Sequence, residues 1–327
     1  MANNNGFILL TGTANLKLAS DVAKILGKNI DETVSAFADG EKRITIPENL
    51  RKRDVFIIQP TCPPVDSNIM ELFLMIDAAK RSSAQEVSAI IPYFGYSRQD
   101  RKDRPRVPIS ASIIARLIEY AGADRILTID IHSEQEPGFV EIPWDNLYSS
   151  YSLLPELKKQ FNSDNLVIAS PDKGGVLKAT FYADLLDADG IVIVFKERDV
   201  TKKNESKALD LIGDVKGKDV LIVDDMIDTA GTICEAGKLI KERGAKSISV
   251  AATHGLFSDP APERISSSPI EKIFITDSVP LREGILKNPK IQVVSVAKLL
   301  AEAINCIHNG DSISEKLIPK TYKEERN

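Results

Sequence analysis

Residues Val220–Thr232 read V-L-I-V-D-D-M-I-D-T-A-G-T. Val220–Val223 is a short apolar run, which is typical of a buried parallel strand, and a helical pattern follows from Ile233 to Arg243. In open α/β sheets, ligands bind beyond the carboxyl ends of the strands. Asp224 and Asp225 stand directly at such an end, so the stretch predicts a strand, a ligand-binding turn and a helix.

The turn D-T-A-G-T, which comprises Asp228, Thr229, Ala230, Gly231 and Thr232, suits phosphate. The first N–H groups of a helix have no partner within it, and the helix dipole is positive there. Two carboxylates beside this turn would repel a bare phosphate but would accept hydrogen bonds from sugar hydroxyls, or bind a metal. We therefore predict a sugar-phosphate site. The alternative is an ordinary turn in which the aspartates cap a helix. The Walker pattern G-x-x-x-x-G-K-[ST] is absent from the sequence.

Apolar strand-like runs alternate with helical stretches along the chain, which indicates an α/β fold with parallel sheets. A length of 327 residues suggests two domains. We predict an N-terminal domain over residues 1–147, a C-terminal domain over 148–308 and a polar tail over 309–327.

Composition and charge limit the classes of partner and the location that we expect for the protein. The chain is 43% hydrophobic and 27% charged with a net charge of −5, so no general affinity for nucleic acid or anionic membranes is expected. No apolar run approaches the roughly 20 residues that span a bilayer, and the N-terminus lacks the features of a signal peptide. Three widely spaced cysteines are typical of reduced thiols. These features predict a cytoplasmic protein.

Two stretches predict contacts to a nucleotide. In F-A-D-G-E, Phe37 can stack on a base while Asp39 and Glu41 accept from an exocyclic amine; the alternative is a hairpin turn with a core phenylalanine. The stretch Pro92–Asp103, P-Y-F-G-Y-S-R-Q-D-R-K-D, begins at the carboxyl end of a strand. Its arginine forks suit polyphosphate oxygens; the alternative is a solvated charged loop.

Two further stretches carry candidate metal ligands. The predicted strand Ile126–Ile131 would place Asp130 and His132 on one face. His132 would then ligate a metal or contact phosphate, although a satisfied, partly buried histidine is the alternative. In S-P-D-K-G-G, Asp172 can hold a metal while the glycine backbone closes on a ligand; a tight turn is the alternative.

Lys196 and Arg198 end a predicted strand and begin a polar, charged loop. Two cations on a closing loop can neutralise the charge that develops on a transferring phosphoryl group. The alternative is a solvated loop without a catalytic role.

Taken together in this order, these stretches resemble ribose-phosphate diphosphokinases over Phe7–His308. Type I phosphoribosyltransferases share V-D-D-M-I-D-T-A-G-T but lack the stretch I-P-Y-F-G-Y-S-R-Q-D-R-K. The resemblance implies two similar parallel-sheet domains of the type I phosphoribosyltransferase-like fold, with the active site between them. It departs from the family at Glu197, where the family has arginine, and at Glu136-Pro137, where it has Ile-Gln.

The resemblance also implies roles for individual residues. The residues that would bind ATP are Phe37, Asp39, Gly40, Glu41, Arg98, Gln99, Asp103 and His132, with Asp103 reaching a neighbouring subunit's nucleotide. His132 and Asp172 would serve a Mg²⁺ site, and Lys196 and Arg198 would be the catalytic cations. The residues that would hold ribose 5-phosphate are Arg198, Asp224, Asp225, Asp228, Thr229, Ala230, Gly231 and Thr232.

The reaction implied is transfer of the diphosphoryl group of Mg–ATP to the anomeric hydroxyl of ribose 5-phosphate, with release of AMP. The implied assembly is a homo-oligomer, a hexamer built from dimers, without nucleic-acid or membrane partners. Two rival functions remain open from the sequence. One is a phosphoribosyltransferase that consumes the activated sugar, and the other is a non-catalytic regulatory paralogue that assembles with active subunits.

Overall fold

The computed structural model describes residues 6–30, 33–196 and 209–319, and within these ranges the chain forms two compact units. The first unit comprises the chain up to Tyr148, Ser278–Pro280 and Ser295–Leu317, and the second is formed mainly by Ser149–Asp277 and Leu281–Val294. In the ranges given above, no helix is long and apolar enough to cross a membrane.

Up to Tyr148, the described residues of the first unit form seven strands and three α-helices. The strands are β1 (Ile8–Thr11), β2 (Val34–Ala36), β3 (Lys42–Ile44), β4 (Val55–Ile58), β5 (Val87–Ile91), β6 (Arg125–Ile129) and β7 (Trp144–Leu147). The helices are α1 (Leu16–Leu26), α2 (Val65–Arg81) and α3 (Ser110–Ala121). Five strands form a parallel sheet in the order β1-β4-β5-β6-β7, and β2 and β3 form an antiparallel hairpin.

Local sequence explains these elements. Every residue of β4 is buried, as expected of a parallel strand covered on both faces. Asn15 caps α1, since its side chain accepts a 3.2 Å hydrogen bond from the N–H of Leu18. Gly27 ends the helix at φ 63°, a left-handed conformation that favours glycine.

The second unit contains a larger sheet. Its strands are β8 (Leu166–Ser170), β9 (Gly190–Lys196), β10 (Leu209–Ile212), β11 (Asp219–Ile227), β12 (Ser247–Gly255), β13 (Lys272–Thr276) and β14 (Ile291–Val294). Its helices are α4 (Ser150–Gln160), α5 (Val176–Leu186), α6 (Gly231–Glu242), α7 (Ala261–Ser266) and α8 (Glu283–Leu286). The order is β10-β9-β8-β11-β12-β13-β14, parallel except for the antiparallel pair β9–β10.

The strand order of this sheet reverses between β8 and β11. From β8 the chain proceeds outward to β9 and β10, and from β11 it proceeds the other way to β12, β13 and β14. The two strands pair directly, with Ala169 opposite Ile222. Such a reversal opens a crevice beyond the carboxyl ends of the two strands, where open α/β sheets bind ligands.

The last two helices, α9 (Ala297–Asn309) and α10 (Ile313–Leu317), belong to the first unit. Helix α9 packs against α1, and the ring Nδ1 of His308 lies 2.8 Å from Oδ2 of Asp54. The compact units therefore divide after Tyr148 and draw the C-terminal helices into the first, whereas the predicted C-terminal domain ran to residue 308. As limits of independently folding domains, the predicted boundaries stay a prediction.

The predicted α/β fold with parallel sheets is confirmed, but the prediction for the strand that leads to His132 is wrong. β6 ends at Ile129, and Asp130 has a φ of 42°, which turns the chain out of the extended conformation. The N–H of Ile131 then bonds to the side chain of Asn146 in β7, at 3.2 Å, and not to the backbone of that strand. Asp130 and His132 consequently do not share a strand face.

Candidate functional site

The aspartate pair, Asp224 and Asp225, lies near the carboxyl end of β11, beside the strand-order reversal. β11 runs on to Ile227, four residues beyond the apolar run, because its pairing with β12 continues. Each carboxylate is half-buried, and each accepts a 2.9 Å hydrogen bond from the next backbone N–H along the strand. The strand itself thus fixes both carboxylates near its own carboxyl end.

Electrostatics make the aspartate pair receptive to donors. Burial, together with the negative charge of Asp225, raises the pKa of Asp224 well above its usual range, while the ammonium group of Lys178 in α5 opposes the shift. Hydroxyl donors or a cation placed between the carboxylates would relieve this repulsion. The pair can therefore bind a polyhydroxylated ligand, and binding would favour its ionised form.

The phosphate turn, Asp228–Thr232, leads from β11 into α6. Ala230 adopts the left-handed conformation at φ 57°, and its carbonyl accepts the N–H of Cys234 at 3.1 Å, so α6 begins immediately after it. Thr229 and Thr232 are exposed. The first N–H groups of the helix and two exposed threonines therefore lie at the same end of α6, which suits a phosphate.

Arg264 is a residue of this site that the sequence did not reveal. From α7, its Nη1 donates a 2.9 Å hydrogen bond to the carbonyl oxygen of Thr229. A Cβ atom added to Gly231 would lie 3.3 Å from the same Nη1, so the guanidinium covers the start of α6 closely. No local motif marks Arg264, because it stands 35 residues from its partner.

The Asp172 loop follows β8, the neighbour of β11 across the reversal. Oδ1 of Asp172 accepts hydrogen bonds from the N–H groups of Gly174, at 2.8 Å, and Gly175, at 3.1 Å. The hydroxyl of Ser170 donates to the carbonyl of Asp172 at 2.6 Å. A Cβ on Gly175 would lie only 2.8 Å from Oγ of Ser170, so this tight turn requires glycine there.

The predicted metal ligands lie in different units, His132 in the first and Asp172 in the second. Both side chains are exposed. In the part of the chain that the structure describes, no group of three or more His, Cys, Asp or Glu could hold a metal ion. Mg²⁺ commonly uses one or two carboxylates plus substrate phosphates and water. The single carboxylate of Asp172 therefore fits a magnesium ion that arrives on a nucleotide, while histidine remains the less usual ligand.

The predicted nucleotide contacts near residue 40 lie in the nucleotide hairpin, defined as β2, β3 and the turn Phe37–Glu41. The N–H of Phe37 bonds to the carbonyl of Glu41 at 2.9 Å, and Asp39 accepts the N–H of Glu41 at 3.1 Å. Gly40 has a φ of 95°. Phe37 is 51% exposed, so the stretch is a hairpin turn without a core phenylalanine. The guanidinium carbon of Arg43 lies 5.8 Å from the centre of the Phe37 ring, and an exposed aromatic ring can stack on a base.

A buried ion pair holds the nucleotide hairpin against helix α2 of the first unit. Nζ of Lys42, in β3, lies 2.7 Å from Oε1 of Glu71 in α2. The Glu71 side chain has no exposed surface and also accepts the N–H and hydroxyl of Thr13, at 2.9 and 2.8 Å, and the amide of Gln59, at 3.0 Å. Lys42 thus connects the hairpin to a rigid polar cluster.

The arginine segment, Ser97–Gln99, follows β5. Tyr96, at φ 67°, turns the chain before it, and its hydroxyl donates to Asp66 at 2.6 Å. Arg98 and Gln99 are exposed, and Oε1 of Gln99 accepts the hydroxyl of Ser110 at 2.7 Å. The arginine is therefore presented at the carboxyl edge of the sheet. Asp103, further along, is exposed as well.

The structure brings His132 to the arginine segment, because β5 and β6 are neighbours. Oγ of Ser97 accepts the backbone N–H of His132 at 3.1 Å and donates to the buried carboxylate of Glu136. The N–H of Ser133 also donates to Glu136, at 3.2 Å. Burial raises the pKa of Glu136 to about 7, although the bonds from Ser97 and Ser133 oppose the shift.

Of the two predicted catalytic cations, Lys196 lies within the described residues and Arg198 does not. Lys196 is the last residue of β9, which lies beside β8. Arg198 lies outside the described residues, as does Glu197. The catalytic roles of Lys196 and Arg198 therefore stay predictions, as do the other individual ligand contacts.

Comparison with known proteins identifies relatives along nearly the whole chain. The N-terminal domain of ribose phosphate pyrophosphokinase matches residues 7–122, and the phosphoribosyl synthetase-associated domain matches residues 196–317. A ribose-phosphate pyrophosphokinase of Helicobacter hepaticus is 48% identical over 311 residues, which cover 94% of this chain and 98% of that protein. One from Chlorobaculum tepidum is 50% identical over 307 residues, 94% and 93% of the two chains.

A solved structure supports the same assignment. The crystal structure of phosphoribosylpyrophosphate synthetase from Mycobacterium smegmatis has a TM-score of 0.87 at 38% identity, covering 93% of this chain and 99% of that chain. Identity and coverage of this extent establish common descent over nearly the whole length. The chain belongs to the ribose-phosphate pyrophosphokinase family.

Proposed function

We propose that the protein transfers the diphosphoryl group of Mg–ATP to the anomeric hydroxyl of ribose 5-phosphate, giving 5-phospho-α-D-ribose 1-diphosphate and AMP. The observation that carries the proposal is the aspartate pair beside the phosphate turn at the strand-order reversal, in a chain of this family. One end of such a site suits a phosphate and the other suits sugar hydroxyls.

The sugar is the acceptor. Its 5-phosphate binds at the start of α6, where Thr229 and Thr232 add hydroxyl donors to the backbone N–H groups. Its ring hydroxyls donate to Asp224 and Asp225. This arrangement holds the ribose by both ends and orients its anomeric hydroxyl toward the donor, and such positioning is a large part of phosphoryl-transfer catalysis.

ATP is the donor, and most of its proposed contacts are residues of the first unit. Phe37 stacks on the base, Asp39 and Glu41 accept its amine, and Arg98 and Gln99 contact the phosphates. His132 and Asp172 contact the Mg–ATP complex, and Asp103 reaches the nucleotide of a neighbouring subunit. Magnesium supplies charge neutralisation on the phosphates.

The transfer is an in-line displacement at the β-phosphorus. A bond forms between the anomeric oxygen and this phosphorus while the bond from the phosphorus to the bridging oxygen of AMP breaks, and the hydroxyl proton is lost to solvent. Lys196 and Arg198 neutralise the charge that develops on the phosphoryl oxygens. Arg198 also contacts the sugar phosphate.

Assembly and location are parts of the same proposal. We infer a hexamer built from dimers, because the proposed role of Asp103 requires a second subunit beside the nucleotide. Sedimentation of the purified protein measures the mass directly. The cytoplasm is the proposed location, since it holds the phosphorylated substrates.

The test is product analysis with purified protein, ATP, Mg²⁺ and ribose 5-phosphate. AMP and a sugar diphosphate should form in equal amounts, and neither should form when either substrate is omitted. A phosphoribosyltransferase would instead release diphosphate from the activated sugar in the presence of a nucleobase. A regulatory paralogue would form no product alone. Either of those results would refute the proposed activity.

The catalytic loop has its own test. Lys196→Ala should lower the rate by about 10²- to 10³-fold, as loss of a preorganised charge does elsewhere. Lys287→Ala is the control, because that lysine is exposed and makes a surface ion pair with Glu283 at 2.6 Å. A rate for Lys196→Ala equal to that of the control would remove Lys196 from the mechanism.

A further inference from the structure

Glu136 is a buried carboxylic acid outside the predicted nucleotide and sugar contacts. It begins a short 3₁₀ turn after the strand β6 and its following bend, and it has no exposed surface. Within the described part of the chain, its Oε2 has no hydrogen-bond partner. An acid buried with one unsatisfied oxygen costs stability, and apolar side chains of similar volume are often better tolerated. Stability therefore does not explain this residue.

The contacts of Glu136 join two segments, which contain the predicted nucleotide-binding residues Arg98 and His132. Its Oε1 accepts the hydroxyl of Ser97 and the N–H of Ser133, the latter at 3.2 Å. Oγ of Ser97 in turn accepts the backbone N–H of His132 at 3.1 Å. Since a serine hydroxyl has one proton, and His132 is itself the donor, the Ser97 proton is directed to Glu136.

The chain of bonds from His132 through Ser97 to Glu136 therefore has a fixed direction and ends on an acceptor oxygen of Glu136. Ser97 is 4% exposed, so water does not replace this acceptor. The residue after Ser97 is Arg98, which is exposed at the edge of the sheet. A change in the position of Ser97 would carry Arg98 with it and would release the backbone of His132.

We propose that Glu136 is a positioning residue for the nucleotide, which acts through Ser97 to hold Arg98 and His132 in register with each other. This inference rests on the proposed function, in which both of those side chains contact Mg–ATP. It assigns Glu136 an effect on the ATP side of the reaction and none on the ribose 5-phosphate side, because the phosphate turn belongs to the other unit.

The experiment compares Glu136→Leu, Ser97→Ala, the double variant and Glu136→Gln. We expect Glu136→Leu to raise KM for ATP about tenfold, the effect of losing a bond to a charged acceptor, with KM for ribose 5-phosphate unchanged. Ser97→Ala should have a similar effect. The double variant should be no worse than either single one, because both remove the same connection. Glu136→Gln retains an acceptor oxygen and should restore KM for ATP to within about twofold of the wild type.

The control is Asp124→Asn, which weakens the opposite, amino-terminal edge of the same sheet. Asp124 accepts the N–H of Val87 at 2.7 Å and Nζ of Lys80 at 2.9 Å. It should lower thermal stability without changing either KM. Direct titration with a non-hydrolysable ATP analogue separates this inference from the activity, because it reports nucleotide affinity even if no product forms.

An unchanged affinity for the analogue in Glu136→Leu would overturn the proposal. Equal rises of both KM values, or additive effects of the two single variants, would overturn it as well, because they would indicate a general structural role. A selective loss of nucleotide affinity that Glu136→Gln rescues is the expected result.

Discussion

Nη1 of Arg264 donates a 2.9 Å hydrogen bond to the carbonyl oxygen of Thr229 and so fixes the second residue of the phosphate turn from outside the helix that the turn begins. Arg264 itself is exposed. The guanidinium thus restrains the turn and adds a positive charge beside the positive end of the α6 dipole. Both effects favour a bound phosphate.

Replacing Arg264 should weaken the binding of ribose 5-phosphate and leave the binding of ATP unchanged. Arg264→Met should raise KM for ribose 5-phosphate about tenfold, as loss of a charged donor and a nearby cation predicts, with KM for ATP unchanged. The matched control is Arg243→Met, which removes an exposed arginine from the far end of α6, where it pairs with Asp210 at 2.6 Å. Initial-rate measurements at varied concentrations of each substrate give the values. A shift in the KM for ATP, or none for ribose 5-phosphate, would contradict the assignment.

Binding of ribose 5-phosphate should release a proton from the aspartate pair. Burial and the charge of Asp225 raise the pKa of Asp224 in the free protein. Sugar hydroxyls donate to carboxylates and so favour the ionised form. Affinity should therefore rise with pH until Asp224 is ionised in the free protein as well. Calorimetric titration in buffers of different ionisation enthalpy measures the proton released. Asp224→Asn should abolish the release, and a wild-type protein that takes up a proton would refute the predicted direction.

Loss of Lys42 should lower both the stability of the protein and its affinity for ATP. Lys42→Met leaves the carboxylate of Glu71 buried without its cation, which should lower the free energy of unfolding by about 3 kcal/mol. It also frees the nucleotide hairpin, so KM for ATP should rise. Adding Glu71→Gln should recover part of the stability, because the buried charge is removed. Denaturant unfolding and steady-state kinetics report the two effects. A double variant less stable than Lys42→Met would argue against an uncompensated charge as the cause.

Glu136 should make stability fall with rising pH. Its pKa of about 7 in the folded protein exceeds its ordinary value of 4.5, so between these values the folded state binds more protons than the unfolded state. The contribution of Glu136 to the free energy of unfolding is therefore largest below pH 4.5. It declines as the pH rises from 4.5 through about 7, by up to about 3 kcal/mol in total. Urea unfolding at pH 5 and pH 8 measures the decline. Glu136→Gln, which has no proton to lose, should lack this part of the decline. Parallel profiles for the two proteins would contradict the prediction.

The strand, turn and helix of the predicted sugar-phosphate site could be predicted from the sequence because they are local. The buried run before Asp224, the small residues of the phosphate turn and the helix after it are all within one stretch, and each obeys short-range rules. The Asp172 loop and the arginine segment were accessible for the same reason. Their strands are buried throughout, and the predicted ligand-binding residues follow each strand end.

The remaining features arise from contacts between distant residues. Ser97 and Glu136 are 39 residues apart, and Lys42 and Glu71 come from a hairpin and a helix. No periodicity in the sequence predicts either contact. The strand prediction for Asp130 and His132 failed because alternation alone does not reveal where a ladder ends. The positive φ of Asp130 and the side chain of Asn146 end it two residues earlier than the apolar pattern suggested.

The central claim is diphosphoryl transfer, and the fate of the β-phosphorus tests it most directly. ATP labelled with ³²P at the β position would be incubated with the wild-type protein, Mg²⁺ and ribose 5-phosphate, and the products separated. We predict that all of the transferred label appears in the sugar diphosphate and that an equal amount of unlabelled AMP forms. Label recovered in ADP would mean transfer of a single phosphoryl group, and label in free phosphate or diphosphate would mean hydrolysis. Either result would contradict the proposed function.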